Sequence, residues 1–337
     1  MDDALTSRIE REIFFRTFAR TARAPDAVVQ QFVEDLTEQQ IKRGEVLFRA
    51  GDPSEHIYYI ARGSMELSDP SGAAPWIFGG RSAVGAIDAS MGQPYSRTAV
   101  ALEDTLLLRM RIEDYFDILE DNFDFTKAMF GFLFGGVEEL ARPLAADLVY
   151  ADGGGPTELG NLGRADGLGL VERALVLRAS RPLAGIRLQV LIRLAQAASE
   201  RRVAAGHALF EPGAGSSSLW LVCRGKIRGE YVGRDRPADD PFIADFGPGT
   251  MVLALAALAQ AEASYRAVAT EPTLVLGLAR EDLWDVMEDH SDVVRAILAY
   301  AAGERARLQT IAADLAAGRT GEVVVAAPLG VADDGNR

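Results

Sequence analysis

Apolar and polar residues alternate along two long stretches of this chain, and on either side of each the apolar spacing lengthens to that of helices. "KRGEVLFRAGDPSEHIYYIARGSMEL" begins at Lys42 and "AAGHALFEPGAGSSSLWLVCRGKIRG" begins at Ala204. Both run glycine, short apolar strand, glycine-bearing turn, then an alternating apolar strand that ends in Arg-Gly: Arg62-Gly63 and Arg224-Gly225. Polar turns follow, then a second glycine cluster ("FGGRS", "FGPGT") and a strand closing on "ALEDT" or "ATEPT". A helix is expected before each stretch, over "APDAVVQQFVEDL" and "AGIRLQVLIRLAQAA", where Val190, Leu191 and Leu194 share one face. A helix is expected after each, over "RIEDYFDILEDNFDFTKAMFGFLF" and "AREDLWDVMEDHSDVVRAILAYAAGERARLQ". The chain is an internal repeat.

Between the copies lies "ADGGGPTELGNLGRADGLG", 151–169, whose glycine density reads as a flexible linker. After about Gly318 the tail has no helical period and is expected to be loose. The division that follows is a first domain over 1–150, the linker 151–169, a second domain over 170–316 and a tail over 317–337.

Composition narrows the function. A formal net charge of −14 sets a repulsive field against nucleic acid and anionic membranes. Cys223 is the single cysteine, so no intrachain disulfide forms and a reducing compartment fits. The first residues lack the layout of a secretory signal, and no apolar run reaches the roughly 20 residues of a membrane helix. A cytoplasmic protein is expected, without DNA or membrane as partner.

The order of helix, glycine-punctuated strands and helix, with "GEVLFRAGDPSEHIYYIARG" as its most specific wording, resembles the cyclic-nucleotide-binding domain. The resemblance covers about 12–142 and 174–316, and the tandem layout is similar to that of protein kinase regulatory subunits. It implies an α+β fold: two tandem antiparallel β-rolls (double-stranded β-helix, jelly-roll-like), each flanked by helices. It also implies a phosphate cassette: gly-glu, a short helix, pro-arg and a strand of small residues. A helix N-terminus receives the cyclic phosphate, an arginine neutralises it and the glutamate holds the ribose.

"FGGRSAVGAIDASMGQPYSRTAVALEDT" lies on that cassette without a gap. Gly85 stands at the glycine, Ala86 at the glutamate, Tyr95 at the arginine, and Ser96 is a small polar neighbour. In "FGPGTMVLALAALAQAEASYRAVATEPT", Leu253 replaces the glycine, Ala254 the glutamate and Ala263 the arginine, with Ser264 beside it. Both copies lack both charged anchors. Losing one charged partner typically costs about 2–5 kcal/mol, so ordinary binding of cAMP or cGMP is not expected.

Two readings of Arg97 stand. It is two residues beyond Tyr95, so on a strand it shares a face with the lost anchor, and with Arg81 on the approach loop it would serve a differently placed anion. Alternatively it is a surface arginine paired with Glu103 or Asp104, of little consequence for stability. In the second copy Tyr265 takes the pocket-facing place and Arg266 faces away, so that pocket is expected to be filled by its own side chains.

Other chemistry finds no constellation. His56, His207 and His290 are far apart and at no ligand spacing, so no metal site and no cofactor are expected. Cys223 sits in the apolar strand "LWLVC" and reads as an inert thiol. No phosphate-binding loop with its lysine and no nucleophile elbow occurs, so no catalytic residues are named. The reading is a non-enzymatic regulatory or scaffolding protein acting through another protein. The alternative is a sensor whose first domain binds a non-standard nucleotide, such as a cyclic dinucleotide, or another anion. The helix around 112–141 carries Phe125, Met129, Phe130, Phe132, Leu133 and Phe134 on several sides, which calls for cover from the second copy, another subunit or a different protein; of these a homodimer through the helix is favoured.

Overall fold

The computed structural model describes residues 8–17, 24–72, 75–144, 167–215, 217–231, 242–252, 254–263 and 265–316. The tail 317–337 and most of the expected linker, 151–166, lie outside the described residues. Two compact units are present: Met1–Phe132 with Leu298–Arg319, and Leu133–Ile297 with Thr320–Arg337.

The first copy opens with α1 (Arg8–Arg16) and α2 (Asp26–Glu34). Eight strands follow: β1 (Thr37–Ile41), β2 (Val46–Phe48), β3 (His56–Arg62), β4 (Ser64–Ser68), β5 (Trp76–Gly79), β6 (Ala83–Val84), β7 (Thr98–Ala101) and β8 (Thr105–Arg111). The short helix α3 (Ala86–Met91) sits between β6 and β7, and α4 (Ile112–Asp121) and α5 (Phe123–Leu144) follow β8. The strands form two antiparallel sheets, in the orders β1-β8-β3-β6 and β2-β7-β4-β5.

The second copy repeats this plan. It comprises α6 (Leu170–Ala179), a 3-10 turn (Arg181–Leu183), α7 (Leu188–Ala197), β9 (Ser199–Val203), β10 (Ala208–Phe210), β11 (Ser218–Arg224) and β12 (Ile227–Tyr231). Then come β13 (Phe242–Phe246), β14 (Met251–Val252), α8 (Ala254–Ala259), β15 (Arg266–Ala269), β16 (Thr273–Ala279), α9 (Arg280–Asp289) and α10 (Ser291–Ala316). Its sheets run β14-β11-β16-β9 and β10-β15-β12-β13, the first copy's pairings with every strand number raised by eight. Irregularities repeat too: the register shifts at Ile60/Arg62 and again at Val222/Arg224.

The Arg-Gly pair has a steric cause. Gly63 and Gly225 adopt φ of 90° and 86°, which L side chains rarely tolerate. A Cβ on Gly63 would stand 2.8 Å from the Thr105 backbone, and one on Gly225 2.6 Å from the Thr273 hydroxyl. The chain turns tightly onto the neighbouring strand at both places, and nothing larger fits.

Each expected closing helix is two helices. Asn122 leaves the helical region, and its side-chain amide donates to the Ile118 carbonyl (2.8 Å) and to Gln31 Oε1 (2.7 Å). The Thr126 hydroxyl donates to the Leu119 carbonyl at 2.7 Å. These side chains satisfy carbonyls at the end of α4 and let the chain turn there. His290 makes the matching break between α9 and α10.

Phe125, Met129, Phe130 and Phe134 of α5 are all buried within the single chain. Phe125 packs edge-on to Phe32 with ring centroids 5.9 Å apart, and the Tyr115 hydroxyl meets the Met129 sulfur at 3.1 Å. Leu133 is half-buried, and the Phe132 side chain lies outside the described residues. Among the described residues no helix is long and apolar enough to cross a membrane.

Candidate functional site

The interior of each roll is where the sequence places a ligand, and the backbone frame for one is built twice. In the first roll the Gly51 N–H donates to the Tyr95 carbonyl (2.8 Å) and the Tyr95 N–H to the Asp52 carbonyl (2.9 Å). In the second, Gly213 and Ala263 form the first of these bonds (2.9 Å) and Ala263 and Ala214 the second (3.0 Å). Tyr95 and Ala263 thus occupy one structural position. From there alternate residues point inward, so Tyr95, Arg97, Ala99 and Ala101 are buried in one copy and Ala263, Tyr265, Ala267 and Ala269 in the other.

Tyr95 fills the first roll. Its ring stacks on Phe48 with centroids 3.8 Å apart, and its hydroxyl donates to the His56 carbonyl at 2.8 Å. It belongs to the hydrophobic core together with Ile60, Met65, Val84 and Leu107. Burial pushes its phenol pKa far up, so it stays a neutral donor. Gly85, just ahead of α3, has φ of 79°, and a Cβ there would meet the Tyr95 ring and the His56 carbonyl at 3.0 Å. The glycine is required, and the ring lies against the place where an anion was expected to approach. Ala86 is half-buried as the first residue of α3.

Arg97 corrects the view of it as a surface side chain. Only 3% of the residue is exposed. Its Nη2 pairs with Asp69 Oδ2 at 2.9 Å, its Nη1 points at the Leu67 carbonyl at 3.4 Å, and its guanidinium lies 3.9 Å over the Trp76 ring. Glu103 and Asp104, the partners expected on the surface, are engaged elsewhere, by Ser64 and Lys42. Asp69 is held below the usual carboxylate range, first by the Ser71 hydroxyl and also by Arg97, while partial burial opposes the shift. Arg81 is exposed, with φ of 68°.

Ser96 is exposed, and both its N–H (3.0 Å) and its hydroxyl (3.1 Å) are bonded to Asp88 Oδ2 from α3. The donors that follow the anchor position are thus satisfied by a carboxylate of the cassette itself. Burial raises the Asp88 pKa, against the two Ser96 bonds that lower it.

Tyr265 fills the second roll. It lies edge-on to Phe210 at 5.2 Å and stacked on Phe246 at 6.1 Å. Gly229 has no side chain where one would strike the Phe246 ring at 2.9 Å and the Tyr265 ring at 3.2 Å. Ala263 sits in the same core cluster. Arg266 turns outward to Glu211 (3.1 Å) and Glu230 (3.8 Å). Leu253 and Ser264 lie outside the described residues, and Ala254 opens α8.

Asp69, Phe48 and Asp88 went unnoticed in the sequence, and Trp76 was read only as a core or interface residue. Phe48 and Phe210 hold matching places after Gly44 and Gly206, a signal open to a repeat-based reading. Asp69 lies in a turn 28 residues before Arg97, and no local pattern joins them. Burial pushes the Cys223 thiol up to about 12, which keeps it protonated. Among the described residues no three His, Cys, Asp or Glu side chains gather as a metal site.

A family model described as cyclic nucleotide-binding domain matches residues 38–122 and 200–290. No curated protein matches the chain. Among solved structures, the chain is similar to the regulatory domain of Toxoplasma gondii PKA with cAMP, at 14% identity and TM-score 0.33, over 85% of this chain and 94% of that one. It is also similar to the regulatory subunit of a cAMP-independent protein kinase A from Trypanosoma brucei, at 13% identity and TM-score 0.33, over 88% and 92%. The N-terminal domain of a Streptomyces coelicolor A3(2) transcriptional regulator shares 24% identity at TM-score 0.36, over 41% of this chain and 96% of that one.

Proposed function

This chain belongs to the cyclic nucleotide-binding domain family, with two tandem copies, and from that premise we propose that it is a non-enzymatic cytoplasmic regulatory protein whose rolls hold their own side chains instead of cAMP or cGMP. Its output is contact with another protein. One observation carries the reading: Tyr95 with Arg97, and Tyr265 in the second copy, are buried in the roll interiors with their polar groups already matched or their rings packed.

A cyclic phosphate entering the first roll would have to displace the Tyr95 ring from Phe48, and the buried Arg97 is already neutralised by Asp69. Burying an anion without an ionic partner costs several kcal/mol. The same pairing weighs against the sensor reading, which needs Arg97 for a ligand.

The test is calorimetric titration of the full chain with cAMP and cGMP, with thermal-shift measurements for cyclic di-AMP and cyclic di-GMP. No heat and no shift are expected. A specific ligand stabilises by mass action, so a micromolar dissociation constant for any of them would falsify the reading.

A further inference from the structure

The first helices of the two copies match on both their faces, and only one of those faces has a reason to match. "RIEREIFFR" of α1 lies on "LVERALVLR" of α6 without a gap. Inward, Phe14 and Phe15 correspond to the buried Val176 and Leu177. Arg11 donates to the Leu36 carbonyl and pairs with Glu38, as Arg173 does with the Ala198 carbonyl and Glu200. A shared fold explains all of that.

The outward faces match as well. Ile9, Ile13 and Arg16 in α1 correspond to Val171, Leu175 and Arg178 in α6, at i, i+4 and i+7, which is one stripe of a helix. The aliphatic members are open: Ile9 is 68% and Ile13 62% exposed, Val171 69% and Leu175 45%. A single exposed aliphatic residue needs no explanation, but a stripe of them built twice at matching places, and left open among the described residues, points to a binding face.

The two stripes differ in their cationic end. Arg16 is engaged by Asp26 and by the Ala24 carbonyl. Arg178 is exposed. The open stripe therefore runs from aliphatic to basic on a chain whose net charge is −14. Its complement is a segment that is apolar at one end and acidic at the other.

We propose that the Val171–Leu175–Arg178 stripe of α6 docks an amphipathic helix of another protein, one carrying two aliphatic side chains a turn apart and carboxylates beyond them. This rests on the reading of the chain as a protein that works by contact, and it names the surface and the partner's chemistry.

The probe is a fluorescein-labelled synthetic helical peptide with a leucine stripe and glutamates at one end, beside a counterpart with lysines in their place. Each is titrated with the full chain and followed by anisotropy. The glutamate peptide binds and the lysine peptide does not. Val171→Ser with Leu175→Ser weakens binding by about tenfold or more, which is about 1.4 kcal/mol, and Arg178→Glu reverses the charge preference. Circular dichroism checks that these surface variants keep the parent's fold. The proposal is overturned if the glutamate peptide fails to bind, if the stripe variants bind it as the parent does, or if the lysine peptide binds equally well. It is also overturned if the glutamate peptide fails and light scattering shows a dimer that Leu175→Ser dissociates, which assigns the stripe to a second copy. None of these results alters the calorimetric silence expected with cAMP, so the two readings fail separately.

Discussion

Arg97→Ala is the sharpest perturbation of the first roll. It removes the charge that faces Asp69, the aliphatic stem packed in the roll and the guanidinium over Trp76. Removing one partner of a buried pair typically costs about 3–5 kcal/mol. The Asp69 side chain keeps 24% exposure and two bonds from Ser71, so the low end of that range applies. Loss of the stacked cation adds about 1 kcal/mol. The expected destabilisation is about 4 kcal/mol, a fall of about 8–16 °C in melting temperature for a unit of this size. The assay is urea denaturation at neutral pH followed by circular dichroism, with the transitions of the two units fitted separately where they resolve. Arg97→Met combined with Asp69→Ala removes both charges while keeping the stem, and should recover most of the loss. Because the folded pKa of Asp69 is depressed, its contribution is present above its unfolded value of 3.8 and is lost as pH falls through the lower folded value. The gap between the parent and Arg97→Ala should therefore narrow only in strong acid. A loss below about 1 kcal/mol at neutral pH would mean that the pair is solvated and that Arg97 is not part of the core.

Two further perturbations test the same cassette. The folded pKa of Asp88 is raised by burial, so its contribution is fully present below the unfolded value of 3.8 and is lost as pH rises through the folded one. Asp88→Asn, whose amide oxygen still accepts from Ser96, should raise the melting temperature at pH 7 by an amount worth no more than about 1 kcal/mol, and the advantage should vanish in acid; a variant less stable than the parent at pH 7 would contradict the sign. Arg81 holds φ of 68° where the second copy has Gly249 at 85°, so Arg81→Gly should stabilise the first unit by about 0.5–1 kcal/mol, and a fall in the urea midpoint would show that the arginine side chain does more than tolerate the turn.

The repeat, the strands, the helices before and after each roll and the equivalence of Gly63 and Gly225 were legible in the chain, because alternation and turn chemistry are local properties. So was the inward face shared by Tyr95 and Arg97, since period two follows from the pleat. The break at Asn122 was not: it depends on an amide reaching Gln31, 91 residues away. Nor were α1 and α6 anticipated as matched helices, because their inward arginines acquire meaning only once Glu38 and Glu200 stand beside them. The fate of Arg97 was decided furthest from local sequence. Whether it met water, a ligand or Asp69 depended on where the β4–β5 turn lands when the roll closes, and a side chain's charge does not say which carboxylate will reach it. The sequence alone determined that two rolls would form. Only the tertiary structure decided what fills the space, because the occupants come from strands and turns that become neighbours through closure of the sheets.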